Sequence, residues 1–91
     1  MTVSPDARPA LARGVRLVED RVRGGHQLLA PERALTPSKV AVEILRLCDG
    51  ERSFGAIVDD LATRFDADRT LIESEASAFL EGLAGKGVVT L

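Results

Sequence analysis

Ninety-one residues read as one domain near the lower limit for folding on a single hydrophobic core, and a 45% hydrophobic content is enough to build it. A net charge of −2 and a pI of about 5.3 give no overall attraction to nucleic acid or to an anionic membrane. The single cysteine, Cys48, excludes an internal disulfide framework, and no apolar run approaches the roughly 18 residues needed to span a bilayer.

Met1 to Arg13 contains Pro5, Pro9 and small residues without periodicity, so a mobile tail is expected over 1–13, ahead of a single domain over 14–91. The tail has no apolar core of the kind a secretion signal requires, which makes the cytoplasm the expected compartment. Val15-Arg16-Leu17-Val18 alternates as a short first strand. Gly24-Gly25 signals a turn, because glycine reaches positive φ without steric penalty. His26 to Ala30 reads as the second strand, and Ala30-Pro31-Glu32-Arg33 suits a type I turn with proline at its second position. Ala34-Leu35 continues as a short third strand, closing a small antiparallel meander.

Helical spacing follows. Thr36-Pro37 predicts a helix start, with a hydroxyl to cap and a proline where no amide is needed. Val40, Ala41, Ile44, Leu45 and Cys48 form its apolar stripe, and Gly50 its left-handed stop. Ser53 caps a second helix with the stripe Ile57, Val58, Leu61, Ala62 and Phe65. Asp66-Ala67-Asp68 interrupts that pattern. Thr70 with Glu73 has capping-box spacing for a third helix, with Asp68 as the alternative cap one turn earlier. Its stripe is Ile72, Ala76, Phe79, Leu80 and Leu83, it ends at Gly85 and Gly87, and Val88 to Leu91 forms a last extended segment. A three-stranded sheet too small to bury itself must pack on the helices. The expected fold is therefore α+β: a three-stranded antiparallel sheet followed by three helices, in a winged helix-turn-helix-like arrangement.

The inventory for catalysis is thin. His26 is the only histidine and reads as a surface or half-buried strand residue. Cys48 lies on an apolar stripe, where a thiol behaves as a small hydrophobe. Two such residues cannot form a zinc site or an iron–sulfur cluster. Asp59-Asp60 falls on the outer side of the second helix, and Glu73 and Glu75 near the start of the third are favoured by the helix dipole. Gly24-Gly25 lacks the Lys-Ser/Thr of a phosphate loop. No active site, metal site or cofactor is expected.

Recognition remains. Charge is uneven: nine basic against seven acidic residues through Arg52, then three against seven from Ser53 onward. Arg13, Arg16, Arg21 and Arg23 cluster around the first strand. The third helix instead carries Asp68, Glu73, Glu75 and Glu81 against Arg69 and Lys86, which disfavours insertion into a DNA groove. A short edge strand offers a different site, because an extended peptide can add to it as a further strand.

Particular residues carry a resemblance. Leu28-Leu29-Ala30-Pro31-Glu32-Arg33, Ala41-Val42-Glu43-Ile44-Leu45 and Cys48-Asp49-Gly50-Glu51-Arg52-Ser53, with Arg13 to Leu17, Ile57-Val58, Leu61 and Phe65, resemble the family of pyrroloquinoline quinone (PQQ) biosynthesis protein D, PqqD. The resemblance runs from about Arg8 to Leu91. It implies a non-catalytic peptide chaperone that binds the precursor peptide PqqA and presents it to PqqE, a radical S-adenosylmethionine enzyme, with no nucleic acid or membrane involved. By the same resemblance, the peptide's leader adds beside the third strand against the third helix. That places candidate contacts at Arg33, Ala34, Leu35, Phe79, Leu80 and Leu83. Glu73-Ser74-Glu75-Ala76 and Val88-Val89 depart from the family's usual residues and bear on peptide preference. The alternatives are a recognition domain for another ribosomally made modified peptide, or a winged-helix DNA-binding regulator.

Overall fold

Turn chemistry sets the first half of the chain. In the computed structural model, which describes residues 3–91, the elements run β1 (Ala10–Leu11), β2 (Arg16–Glu19), β3 (His26–Ala30), β4 (Arg33–Leu35), α1 (Lys39–Arg46), α2 (Phe54–Arg64), α3 (Arg69–Gly85) and β5 (Val89–Thr90). The Asp20 carboxylate accepts from the amides of Val22 and Arg23 at 3.1 Å each, and Gly24 and Gly25 take φ of +81° and +76°. That turn reverses β2 into β3, and Pro31-Glu32 reverses β3 into β4. The result is the antiparallel meander β2-β3-β4, followed by three helices, as the sequence predicts.

Each helix starts at a side-chain cap. Ser38 and Ser53 accept from the amides of Ala41 and Ala56, and Asp68 from that of Thr70. The first helix therefore begins at Ser38 rather than Thr36, one residue past Pro37. The third uses Asp68, leaving Glu73 free to pair with Arg69. Gly50 is not the stop of α1, which ends at Arg46 with Leu47 as its cap. Gly50 instead sits at φ +79° in the following turn, where a Cβ would lie 3.3 Å from that of Ala10. There the Asp49 carboxylate accepts from the amides of Glu51 and Arg52 at 2.9 Å each.

The core joins Leu28 of the sheet to Leu45 of α1, Phe54, Ile57, Val58 and Leu61 of α2, and Leu80 of α3, with Val88 beyond it. Two large residues assigned to the stripes stay exposed. Val40 is 60% exposed and Phe65 49%, and Val42 is buried on α1 instead.

The N-terminal segment departs most from expectation. Met1 and Thr2 lie outside the described residues, but residues 3–13 are packed where a mobile tail was expected. Val3 and Pro9 are buried. β1 pairs with β5, Ala10 opposite Thr90 and Leu11 opposite Val89, so the last strand closes on the N-terminal segment and not on the meander. The carbonyls of Ala7 and Pro5 accept from the amides of Phe54 (2.7 Å) and Gly55 (3.0 Å). These are the first two amides of α2, which have no partner within the helix. The Val3 amide donates to the buried Ser77 hydroxyl on α3 at 2.6 Å. The folded unit thus begins ahead of the expected boundary at 14. Deleting residues 1–8 should lower the unfolding free energy by about 3 kcal/mol, from lost Val3 burial and two uncapped amides. A urea titration checks this; an unchanged midpoint would return the segment to the status of a tail.

Candidate functional site

Among the described residues the meander leaves an open side on each of its outer strands, β2 and β4. β3 lies between β2 and β4, so among the described residues β4 has a strand neighbour on one side only. Leu28 faces Leu35, Leu29 faces Ala34 and Ala30 faces Arg33. A two-residue hairpin loop makes its flanking pair, Ala30 and Arg33, the hydrogen-bonded one, and bonding then alternates along the ladder. The other side of β3 agrees. The Asp20 amide donates to the Gly25 carbonyl, which assigns Gln27 and Leu29 to the β2 ladder and Leu28 and Ala30 to the β4 ladder. Ala34 belongs to a non-bonded pair, so its N–H and C=O point away from the sheet.

Beside this edge lies a hollow of ≈ 210 Å3. Leu28, Leu35, Thr36 and Pro37 form its sheet side, Leu45 comes from α1, and Phe79, Leu83 and Lys86 come from α3 and its cap. Of the six candidate contacts, Leu35, Phe79 and Leu83 are brought together here. Arg33 and Ala34 lie exposed on the edge strand itself. Leu80 does not line the hollow: it is fully buried in the core. On a 3.6-residue helix, positions 79 and 83 stack on one face, whereas 80 is turned by about 100°. Leu28, Leu45, Thr36, Pro37 and Lys86 also line the hollow and were not among the candidates. Extending the 79–83 spacing by three reaches Lys86, a signal that was available.

Chemistry elsewhere is occupied by structure. Among the described residues no group of three or more His, Cys, Asp or Glu could hold a metal ion. Arg69 bridges Asp59 and Glu73, while Arg64 bridges Glu43 and Asp60. These hydrogen bonds raise both guanidinium pKa values, first through Asp59 for Arg69 and Glu43 for Arg64. The carboxyls of Asp20 and Asp49 are held below the ordinary range, chiefly by the amides of Arg23 and Arg52 respectively. His26 Nε2 lies 3.1 Å from a guanidinium nitrogen of Arg46, and since arginine only donates, this nitrogen accepts.

An apolar hollow beside an unpaired strand edge fits an extended chain. Residues 25–89 match the family described as coenzyme PQQ synthesis protein D (PqqD). The chain belongs to the PqqD family. A PqqA binding protein of Rhodopseudomonas palustris (strain BisB5) is 51% identical over 90 residues, covering 99% of this chain and 88% of that protein. The solution NMR structure of the PqqD truncation of Methylobacterium extorquens PqqCD superposes with a TM-score of 0.83 at 41% identity, covering 100% of this chain and 96% of that one. It is described as a functional, stand-alone recognition element for ribosomally synthesized and post-translationally modified peptides. The crystal structure of PqqD from Xanthomonas campestris gives 0.62 at 39% identity, covering 99% and 100%.

In this PqqD-family chain the lone cysteine is a packing residue. Cys48 is buried, its thiol donates to the Ile44 carbonyl at 3.3 Å, and burial, with Asp49 adding to it, pushes its pKa up to about 12. The thiolate is the reactive form. Cys48 should therefore resist a disulfide reagent throughout pH 7–9 in the folded protein and react at once in denaturant. Rapid labelling of the native protein at pH 8 would show an open, ionised thiol instead.

Proposed function

We propose that this chain is a non-catalytic peptide chaperone of PQQ biosynthesis, which binds the precursor peptide PqqA along β4 and presents it to the radical S-adenosylmethionine enzyme PqqE. The observation that carries the reading is the outward main chain of Ala34 beside an apolar hollow between β4 and α3. A peptide added there gains backbone hydrogen bonds, each worth about 1 kcal/mol net. A side chain seated between Leu35, Phe79 and Leu83 adds roughly 1.5–3 kcal/mol. The backbone bonds hold any sequence, and the hollow selects among side chains.

Membership of the PqqD family and the names of the relatives support PqqA as the ligand. Support for a peptide held and not altered comes from Asp59, Asp60 and Glu73, tied in ion pairs to Arg69 and Arg64, and from the buried thiol. The chaperone acts by capture: a held peptide meets the partner enzyme at a raised effective concentration. No helix among the described residues is long and apolar enough to cross a membrane. The working compartment is the reducing cytoplasm, where PqqE would be met.

Ala34→Pro tests the edge. Proline at an edge position whose amide faces outward leaves the hairpin bonds of Arg33 and Leu35 intact. The variant should fold as the parent does by circular dichroism, yet bind synthetic PqqA about tenfold more weakly, one hydrogen bond being lost and the edge blocked. Unchanged affinity in a calorimetric titration would place the peptide elsewhere. Binding of a different leader peptide but not PqqA would make the chain a recognition element for another modified peptide.

A further inference from the structure

A second hollow, of ≈ 170 Å3, lies between α1, α2 and α3. Val40 and Ile44 of α1, Phe65 at the end of α2, and Ile72, Glu75 and Phe79 of α3 are among its lining residues. Val40 and Phe65 are the two stripe residues that the core leaves open. Large apolar side chains left exposed around one concavity mark a contact surface more often than a packing defect. The Phe65 ring is held at the rim by its neighbour: the Arg64 guanidinium lies 5.7 Å from the ring centroid and is itself fixed by Glu43 and Asp60.

The two hollows lie end to end along α3 and meet at one side chain. Phe79 lines both. One wall follows the chain out of β4 through Leu35, Thr36, Pro37, Ser38 and Val40. The other runs back along α3 from Lys86 through Leu83, Phe79 and Glu75 to Ile72. From Ile72 to Lys86 the helix rises about 21 Å, the length of roughly six residues of extended chain. Main-chain pairing cannot follow the whole distance, because Pro37 has no amide to offer. Beyond that point the guest must be held through side chains. The pair of hollows also has unlike ends, Lys86 at the β4 side and Glu75 at the other, and among the described residues neither has an ion pair.

We propose that the hollow between α1, α2 and α3 is a second subsite for the peptide paired with β4, one that takes a bulky aliphatic or aromatic side chain followed by a lysine or arginine that reaches Glu75. The proposal rests on the peptide reading of β4 above. Two anchors on either side of Phe79 fix the guest lengthwise, which a ladder of main-chain bonds alone does not. The acidic end at Glu75 repels a guest of inverted charge order, so the pair of hollows selects direction as well as shape.

The test uses the full chain, labelled at methyl and amide positions, titrated with synthetic PqqA. The Val40 and Ile72 methyl signals should shift along the same binding curve as the Ala34 amide. Val40→Ser, at an exposed position, should weaken binding about fivefold to tenfold. Glu75→Lys should weaken it comparably, with added salt narrowing its gap from the parent. If the Ala34 amide shifts while the Val40 and Ile72 methyls stay still and Val40→Ser binds as the parent does, the second subsite is rejected and the edge-strand reading stands. If neither region shifts, the peptide reading fails and the subsite with it. Shifts at Val40 and Phe65 that follow protein concentration in the absence of peptide would make a second copy of this chain the occupant, and overturn the proposal.

Discussion

A two-residue loop leaves a hairpin almost no freedom of register. With Pro31 and Glu32 as the loop, Ala30 and Arg33 share the closing hydrogen bonds, so the Leu35 main chain bonds inward to Leu28 and that of Ala34 faces outward. A slip of one residue would reverse both assignments at once. The apolar wall of the hollow and the open amide beside it would disappear together. The open edge of β4 thus depends on where one proline sits, and the side chains of β4 itself matter less to its geometry than the turn that precedes it.

That edge is useful only if α3 stays beside it, and the N-terminal segment contributes to holding the helix there. It ties Val3 to Ser77 on α3, caps the first amides of α2 through Pro5 and Ala7, and gives β5 its partner strand. Among the described residues Ser77 is the only buried polar side chain, 2% exposed, and its hydroxyl is satisfied by the Val3 amide. A buried hydroxyl without that partner would cost on the order of 1–3 kcal/mol. A segment rich in proline suits this work, since it offers carbonyls to orphan helix amides while leaving few amides of its own to satisfy.

Local signals were legible and non-local ones were not. The β3 limits, the Ser53 cap, the Gly24-Gly25 turn and the order of sheet and helices all follow from residues within a few positions of one another. Residues 3–13 carried no such signal, because the bonds that dock them are made by main-chain carbonyls and amides to partners more than forty residues away. Periodicity put Val40 and Phe65 on apolar stripes, which is true of their faces. It could not distinguish a face buried in the core from one lining a surface hollow. Leu80 shows the opposite case: it shares a stripe with Phe79 and Leu83 but is buried on the inward flank and does not line the hollow.

The same helix therefore buries Leu80 and Leu83 in the core while Phe79 and Leu83 also line the hollow beside β4. In a domain this small, no separate scaffold insulates one duty from the other. A guest bound along α3 favours the conformation in which β4, α1 and α3 are already docked, and so stabilises the whole fold by mass action. The converse also holds. Whatever loosens the far face of α3, including the N-terminal segment seated on Ser77, changes the spacing between Phe79 and Leu35 without touching either. Affinity in such a module is set as much by how firmly one helix is clamped from behind as by what the hollow displays in front.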